Sequence, residues 1–251
     1  MEPTQVLKLA LDIGEALLKS GAEVYRVEDS VVRMLNAYGA QRVDAFTIPS
    51  SIVVTLLMPN SEPVTQTRRI LGGKTNFDCL SRLNALCRSI CKNTPEVKDA
   101  EAQLAAILSA KPYPFSVQFL AYAVISFAFA VFFGGTLLDG LASFIGGAIL
   151  FLTLRLLQEL DISAVFTHLG GACAAAGSAL ILVALGIGTH VDKILIGNIM
   201  LLIPGIELTN GMRDLFSGDI LAGLLHIGEA VFLATIIALG GAYILSLGGM
   251  V

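Results

Sequence analysis

From Pro112 to Leu138 the chain runs for 27 residues without an Asp, Glu, Lys or Arg. No other feature restricts the fold so strongly. An α-helix rises about 1.5 Å per residue, so about 20 apolar residues cross the hydrocarbon core of a bilayer, and this run exceeds that length. The whole chain leans the same way: of 251 residues, 55% are hydrophobic and 14% charged, against roughly 25% charged in soluble domains. The net charge of −4 comes with no run of basic residues, which argues against a nucleic-acid partner.

Charge divides the sequence in two. Residues 1–111 hold 13 of the 16 Lys and Arg, balanced by 12 acidic residues; residues 112–251 hold only Arg155, Lys193 and Arg213 against 8 acidic residues. The boundary falls at "AKPYPFS", where Pro112 and Pro114 interrupt helix. Beyond it the pattern predicts a membrane α-helical bundle of about five spans, at 116–135, 137–157, 162–187, 193–212 and 219–246. Lys and Arg favour the cytoplasmic side. Residues 1–111, Arg155 and Arg213 are therefore expected inside, with Lys193 and the C-terminus outside.

Residues 1–111 read as a soluble α+β cytoplasmic domain. "TQVLKLALDIGEALLKSG" places Val6, Leu7, Leu9, Ala10, Ile13, Leu17 and Leu18 on one helical face, and Gly21 stops it. The opening residues lack the basic start and unbroken apolar core of a secretion signal. "AEVYRVEDSVVRMLNAYG" predicts a second helix ended by Gly39. "RVDAFTIPSSIVVTLLMP" predicts two strands broken at Pro49-Ser50-Ser51, with "EPVTQTRRIL" as a third. Helices follow over 76–92 and 95–110. All three histidines (His168, His190, His226) lie beyond residue 160, so this domain has no imidazole for a Ser-His or Cys-His nucleophile. "LGGKTN" resembles the end of a phosphate loop, but Arg68 stands where that loop needs its first glycine. Cys79, Cys87, Cys91 and Cys173 form no CxxC pair and read as free thiols. Neither an enzyme nor a cofactor is expected.

The chemistry concentrates in "NIMLLIPGIELTNGMRDLFSGD", Asn198 to Asp219. Pro204-Gly205 breaks an apolar run, and Glu207, Asn210, Arg213, Asp214 and Asp219 follow. Broken helices persist in membranes where they line a cavity or are buried in protein. Counting about 1.5 Å per residue from Asp161, Arg213 and Asp219 as markers of the inner surface puts His168, Glu207 and His226 roughly 10 Å deep, and Glu229 about 15 Å. Intramembrane ionisable groups of this kind are costly and usually functional. His226 and Glu229, like Glu207 and Asn210, are spaced i, i+3 on one face. A plain proline kink with Glu207 near the headgroups, paired to Arg213, is the competing reading. His168 reads as a packed, hydrogen-bonded histidine and His190 as a surface residue. Gly170, Ala174 and Ser178 form a small-residue packing stripe. In "SGAEVYRVEDSV", Arg26, Glu28 and Asp29 open the second helix, where acidic residues suit a helix N-terminus.

Three stretches, "IGEALLKSGAEVYRVEDSVVRMLNAYG", "TIPSSIVVTL" and "LLIPGIELTNGMRDLFSGDILAG", together resemble the threonine/serine exporter family, in particular its split form with a YjjP-like larger subunit. The most specific part is PG-x-x-LTN-x-x-RDL-x-SGD, matched at Pro204, Gly205, Leu208, Thr209, Asn210, Arg213, Asp214, Leu215, Ser217, Gly218 and Asp219. The resemblance implies a multi-pass protein of the bacterial inner membrane, oligomeric, that exports threonine, serine or succinate on the proton gradient. It also implies a separate small membrane subunit of the YjjB type as partner. From the broken span and the shared depth of the ionisable groups, substrate is expected at Gly205, Thr209 and Asn210, proton coupling at Glu207, His226 and Glu229, and a gate or structural pair at Arg213 and Asp214. No metal site is expected. The rivals are a membrane-anchored metabolite-binding or hydrolytic enzyme using residues 1–111, and a regulatory subunit of a transporter.

Overall fold

A proline at its first position, where a missing N–H costs nothing, starts helix α1 (Pro3–Lys19). This computed structural model describes residues 2–249. α1 buries Val6, Leu7, Leu9, Ala10, Ile13 and Leu17, and Gly21 supplies the positive φ of +90° that turns the chain. α2 (Val24–Ala37) stops at Tyr38, and Gly39 follows at φ +87°, the left-handed exit that glycine adopts without strain.

Strands β1 (Arg42–Ile48) and β2 (Ser51–Leu57) form a hairpin in which Ile48 faces Ser51, with Pro49 and Ser50 in the turn. β3 (Val64–Arg69) pairs antiparallel to β2, from Ser51↔Arg69 to Leu56↔Val64. The central strand alternates inward Ile52, Val54 and Leu56, all fully buried, with outward neighbours. α3 (Phe77–Asn93) begins at Asn76, whose side chain accepts from the Cys79 N–H at 3.0 Å. α4 (Val97–Leu108) follows. The "LGGKTN" segment is a connector laid against the end of α1: Lys74 N–H bonds to Lys19 O, and a Cβ on Gly73 would lie 2.9 Å from that same oxygen.

Then come α5 (Phe115–Phe132), α6 (Leu137–Glu159), α7 (Ala164–Ala184), α8 (Val191–Ile199), α9 (Gly205–Phe216) and α10 (Ile220–Leu247). Four of the described helices, α5, α6, α7 and α10, are long and apolar enough to cross a membrane. The span expected over 193–212, with a break at Pro204-Gly205, is two short helices: α8 ends at Ile199, and α9 starts at Gly205. Pro204 lacks the N–H a continuing helix needs and disfavours helical backbone at Ile203. The restarted helix has 12 residues, too few to cross a bilayer, and carries Glu207, Arg213 and Asp214.

Packing gathers the chain into two units. One comprises residues 1–111 with 206–228; the other comprises 112–205 with 229–251. α9 and the first turns of α10 therefore pack with the α+β elements, although charge and hydropathy along the sequence place them in the membrane segment. The core of the first unit is a cluster of Leu, Ile, Val and Met from α1, α2, β2, α3 and α4. In the second unit the buried positions are mostly small, among them Ala123, Ala142, Ala172, Ala175 and Ala179.

Candidate functional site

The conspicuous polar assembly of the first unit is built on α9. Asn210, Arg213 and Asp214 are spaced i, i+3, i+4 and so share one face. Each reaches the chain entering α2. Asn210 Nδ2 donates to Gly21 O at 3.1 Å. Arg213 donates to Glu23 Oε1 at 2.5 Å, and Arg26 holds the other oxygen at 3.2 Å. Asp214 Oδ1 accepts the Val24 N–H at 3.1 Å. That N–H belongs to the first turn of α2, where the helix has no acceptors of its own; a carboxylate there satisfies the donor and meets the positive end of the helix dipole.

The second oxygen of Asp214 faces His226 Nδ1 at 3.1 Å. Asp214 is fully buried, and the His226 side chain is 13% exposed. A tight α9–α10 turn makes this meeting possible. Gly218 takes φ +94°, and Asp219 N–H bonds back to Asp214 O at 2.9 Å. Gly211 and Gly223 then bring the two helices together: a Cβ on Gly223 would lie 2.6 Å from Leu215 Cγ and 2.8 Å from Gly211 O.

Burial pushes the Asp214 carboxyl above the usual carboxylate range, against the opposing pull of His226 and of the Tyr25 and Val24 N–H groups. Glu23 goes the other way. Burial raises it, but its own backbone N–H and the Arg213 and Arg26 guanidiniums outweigh burial and hold it below the usual range. A cleft of about 320 Å³ lies near the start of α10, lined by Glu28, Thr47, Asp219 and Leu221 among others. Glu28 is raised there by burial and by the charge of Asp219, despite Thr47.

The other residues expected from sequence are scattered. Glu207 is half-buried in the first turn of α9, with no ion pair among the described residues. Thr209 and Gly205 are exposed, and a Cβ on Gly205 would meet nothing within 4 Å. Glu229 is exposed, and the partner of His226 is Asp214 rather than Glu229. Arg213 and Asp214 do not pair with each other; each holds a separate part of the entry to α2. His168 bonds through Nδ1 to Ala164 O in its own helix at 2.7 Å. Cys87 is buried, and burial pushes its thiol up to about 12, far from thiolate chemistry.

Sequence reasoning passed over two acidic residues. Glu23 stands at the N-cap position of α2 but makes no side-chain cap hydrogen bond; the available signal was a negative charge at a helix N-terminus, which the helix dipole favours. Asp139 closes a capping box with Thr136 at the start of α6. It also accepts the N–H groups of Thr189 and His190 at 2.6 and 2.9 Å and faces His190 Nδ1 at 2.9 Å. His190 is thereby part of a helix-start network, not a bare surface residue.

The second unit holds an uncharged polar cluster. The Ser143 hydroxyl lies 3.0 Å from both Ser126 O and Asn198 Oδ1. Ser126 Oγ and Asn198 Nδ2 are buried with no hydrogen-bond partner among the described residues. Glycines make room for all three side chains: a Cβ on Gly146, Gly147 or Gly197 would fall 2.2, 2.3 or 2.6 Å from Asn198 Nδ2, Ser126 Oγ or Ser143 Oγ.

Against known proteins, the ThrE family model, whose description names a threonine/serine exporter, matches residues 8–248. The chain belongs to the threonine/serine exporter family. It is 26% identical over 243 residues to the "Probable threonine/serine exporter" of Mycobacterium tuberculosis (strain ATCC 25618 / H37Rv), covering 94% of this chain and 45% of that protein. It is 27% identical over 220 residues to the "Threonine/serine exporter" of Corynebacterium glutamicum, covering 85% of this chain and 45% of that protein. The chain thus spans about half the length of the curated relatives it matches, and those relatives are named as exporters, not as enzymes. No solved structure matches it.

Proposed function

We propose that the protein is a subunit of a proton-coupled secondary exporter of small carboxylates, with threonine and serine as first candidates and succinate as the alternative. The observation that carries the reading is the buried Asp214–His226 pair, whose carboxylate belongs to the family's most specific motif. An imidazole hydrogen-bonded to a buried carboxylate is a group that can take up and release a proton, and a helix that restarts after a break is the kind of place that receives an anionic substrate. In this reading Asn210, Thr209 and Gly205 are the candidates for substrate contact and His226, Glu207 and Glu229 the candidates for proton coupling, of which the described contacts join His226 to Asp214. Arg213 and Asp214, expected as a gate or structural pair, each tie α9 to the entry of α2.

The resemblance to the split form supports a separate small membrane subunit of the YjjB type as partner, in an oligomeric assembly. The distribution of Lys and Arg supports a bacterial inner-membrane location with the α+β elements in the cytoplasm and the C-terminus outside. The test is efflux from cells preloaded with labelled threonine, serine or succinate. The full chain is expressed alone, with the partner, and with the partner as His226→Gln or Glu207→Gln. Efflux that needs the partner and is lost in His226→Gln while both subunits still assemble is the expected result. Full pH-gradient-driven efflux by both variants removes the proton role.

A further inference from the structure

We propose that Asp214 is the positioning residue for His226: it holds the neutral imidazole with its proton on Nδ1, so that Nε2 is the atom that takes up and gives back a proton. The exporter reading gives this arrangement its purpose, but the tautomer stands or falls without it.

The two oxygens of Asp214 are used differently. Oδ1 accepts the Val24 N–H at the start of α2, a donor that cannot reverse its role. An ionised carboxylate is the form that suits this place, because it sits at the positive end of a 14-residue helix. Oδ2 lies 3.1 Å from His226 Nδ1. A carboxylate oxygen can only accept, so the hydrogen bond requires a proton on Nδ1. In the neutral ring that leaves Nε2 as a bare lone pair. Nε2 makes no hydrogen bond among the described residues, so no neighbour enforces the other tautomer.

The surrounding charges leave this logic intact. Glu23 on α2 is matched by Arg26 and by Arg213 of α9. Glu28 and Asp219 face each other in their own cleft. Glu207 lies two turns earlier on α9, and Glu229 follows three residues after His226 on α10. Fixing one imidazole nitrogen with a buried carboxylate so that the other does the proton transfer is the general logic of acid–base histidines.

The experiment is nitrogen NMR of the full chain labelled with [15N]histidine in lipid nanodiscs, at a pH where the ring is neutral. With three histidines in the sequence, His168→Gln and His190→Gln assign His226. The expected spectrum has a protonated Nδ1 and an unprotonated Nε2. In Asp214→Asn the amide oxygen still caps Val24 while the amide NH₂ faces Nδ1, so the Nδ1–H signal is lost and the Nε2–H tautomer replaces it. A merely structural Asp214 does not move the tautomer. An Nε2–H tautomer in the unsubstituted protein overturns the proposal even if Asp214→Asn fails to fold, as does an unchanged tautomer in a folded Asp214→Asn. The expected tautomer together with no efflux of threonine, serine or succinate by the assembled pair overturns the exporter reading and leaves the positioning role in place.

Discussion

The two units bury opposite kinds of residue. In residues 1–111 of the first, Leu7, Leu9, Leu11, Ile13, Ile52, Leu83 and Ile90 are inside, and among the described residues there the large apolar side chains that face out are Phe46, Leu71, Phe77 and Leu108. In the second, Ala123, Ala130, Ala172, Ala175, Ala176 and Ala179 are inside, and Leu120, Leu141, Ile149, Leu152, Phe166, Ile181 and Leu239 face out. The first unit is organised by the expulsion of apolar surface from water. In hydrocarbon that force between helices vanishes, and close approach of small residues with a few polar contacts replaces it. One chain therefore follows two packing rules, and the same substitution should have unequal consequences in its two parts.

The largest effect tests the first rule. Leu83→Ala, at a fully buried position of α3, should cost about 2–5 kcal/mol through lost transfer energy and an unfilled cavity, read as a fall in the thermal midpoint of purified protein. Leu120→Ala on α5, 54% exposed, should stay within about 0.5 kcal/mol when the protein is reconstituted in bilayer. The reverse substitution tests the second rule. Gly147→Ala places a Cβ 2.3 Å from Ser126 Oγ and 2.8 Å from Tyr122 O. It should destabilise by about 1–3 kcal/mol, although alanine is the better helix former by about 1 kcal/mol. Equal losses for Leu83→Ala and Leu120→Ala, or no loss for Gly147→Ala, would dissolve the contrast.

Smaller effects sharpen it. Ser143→Ala removes the hydroxyl that bridges Ser126 O and Asn198 Oδ1 and should cost about 1 kcal/mol. Ser126→Ala removes a buried oxygen without a partner among the described residues, so thermal melting should show no loss, or a slight gain. The smallest effect belongs to the first unit and depends on pH. The folded Glu28 carboxyl lies above its ordinary value of 4.5, so its favourable contribution is complete below 4.5 and is lost as pH rises through the folded value. Glu28→Gln, which mimics the protonated form, should match the unsubstituted protein in acid and gain on it as pH rises. A difference that shrinks with rising pH would contradict this assignment.

Much of this was legible in the sequence because hydropathy and turn chemistry are local. The helical face of α1, the Pro49-Ser50 turn, the Gly39 exit and the 27-residue uncharged run each act through neighbours in sequence. The break at Pro204-Gly205 was equally plain, for a missing N–H cannot be hidden. Its consequence was not, since whether a polar half-helix packs with lipid-facing helices or with an α+β core depends on partners far along the chain. Asp214 serves a backbone N–H 190 residues away, and no periodicity carries that information. The expectation that His226 works with Glu229 rested on helical spacing. It overlooked that the α9–α10 turn offers a closer carboxylate at Asp214. The site was thus legible as a motif and a set of residue types, while its pairings required the tertiary fold.

Asp139 has a consequence in time. Its carboxylate caps the helix it belongs to through Thr136, and it also holds Thr189 and His190, 50 and 51 residues later. Synthesis delivers the chain N-terminus first, so α6 exists before the strand of sequence that completes this carboxylate has left the ribosome. Until α8 arrives, Asp139 has only its own turn to bind. The arrival of Thr189 and His190 thus marks the moment at which α6 and α8 become one assembly, and a single acidic side chain records whether the later helix has found the earlier one.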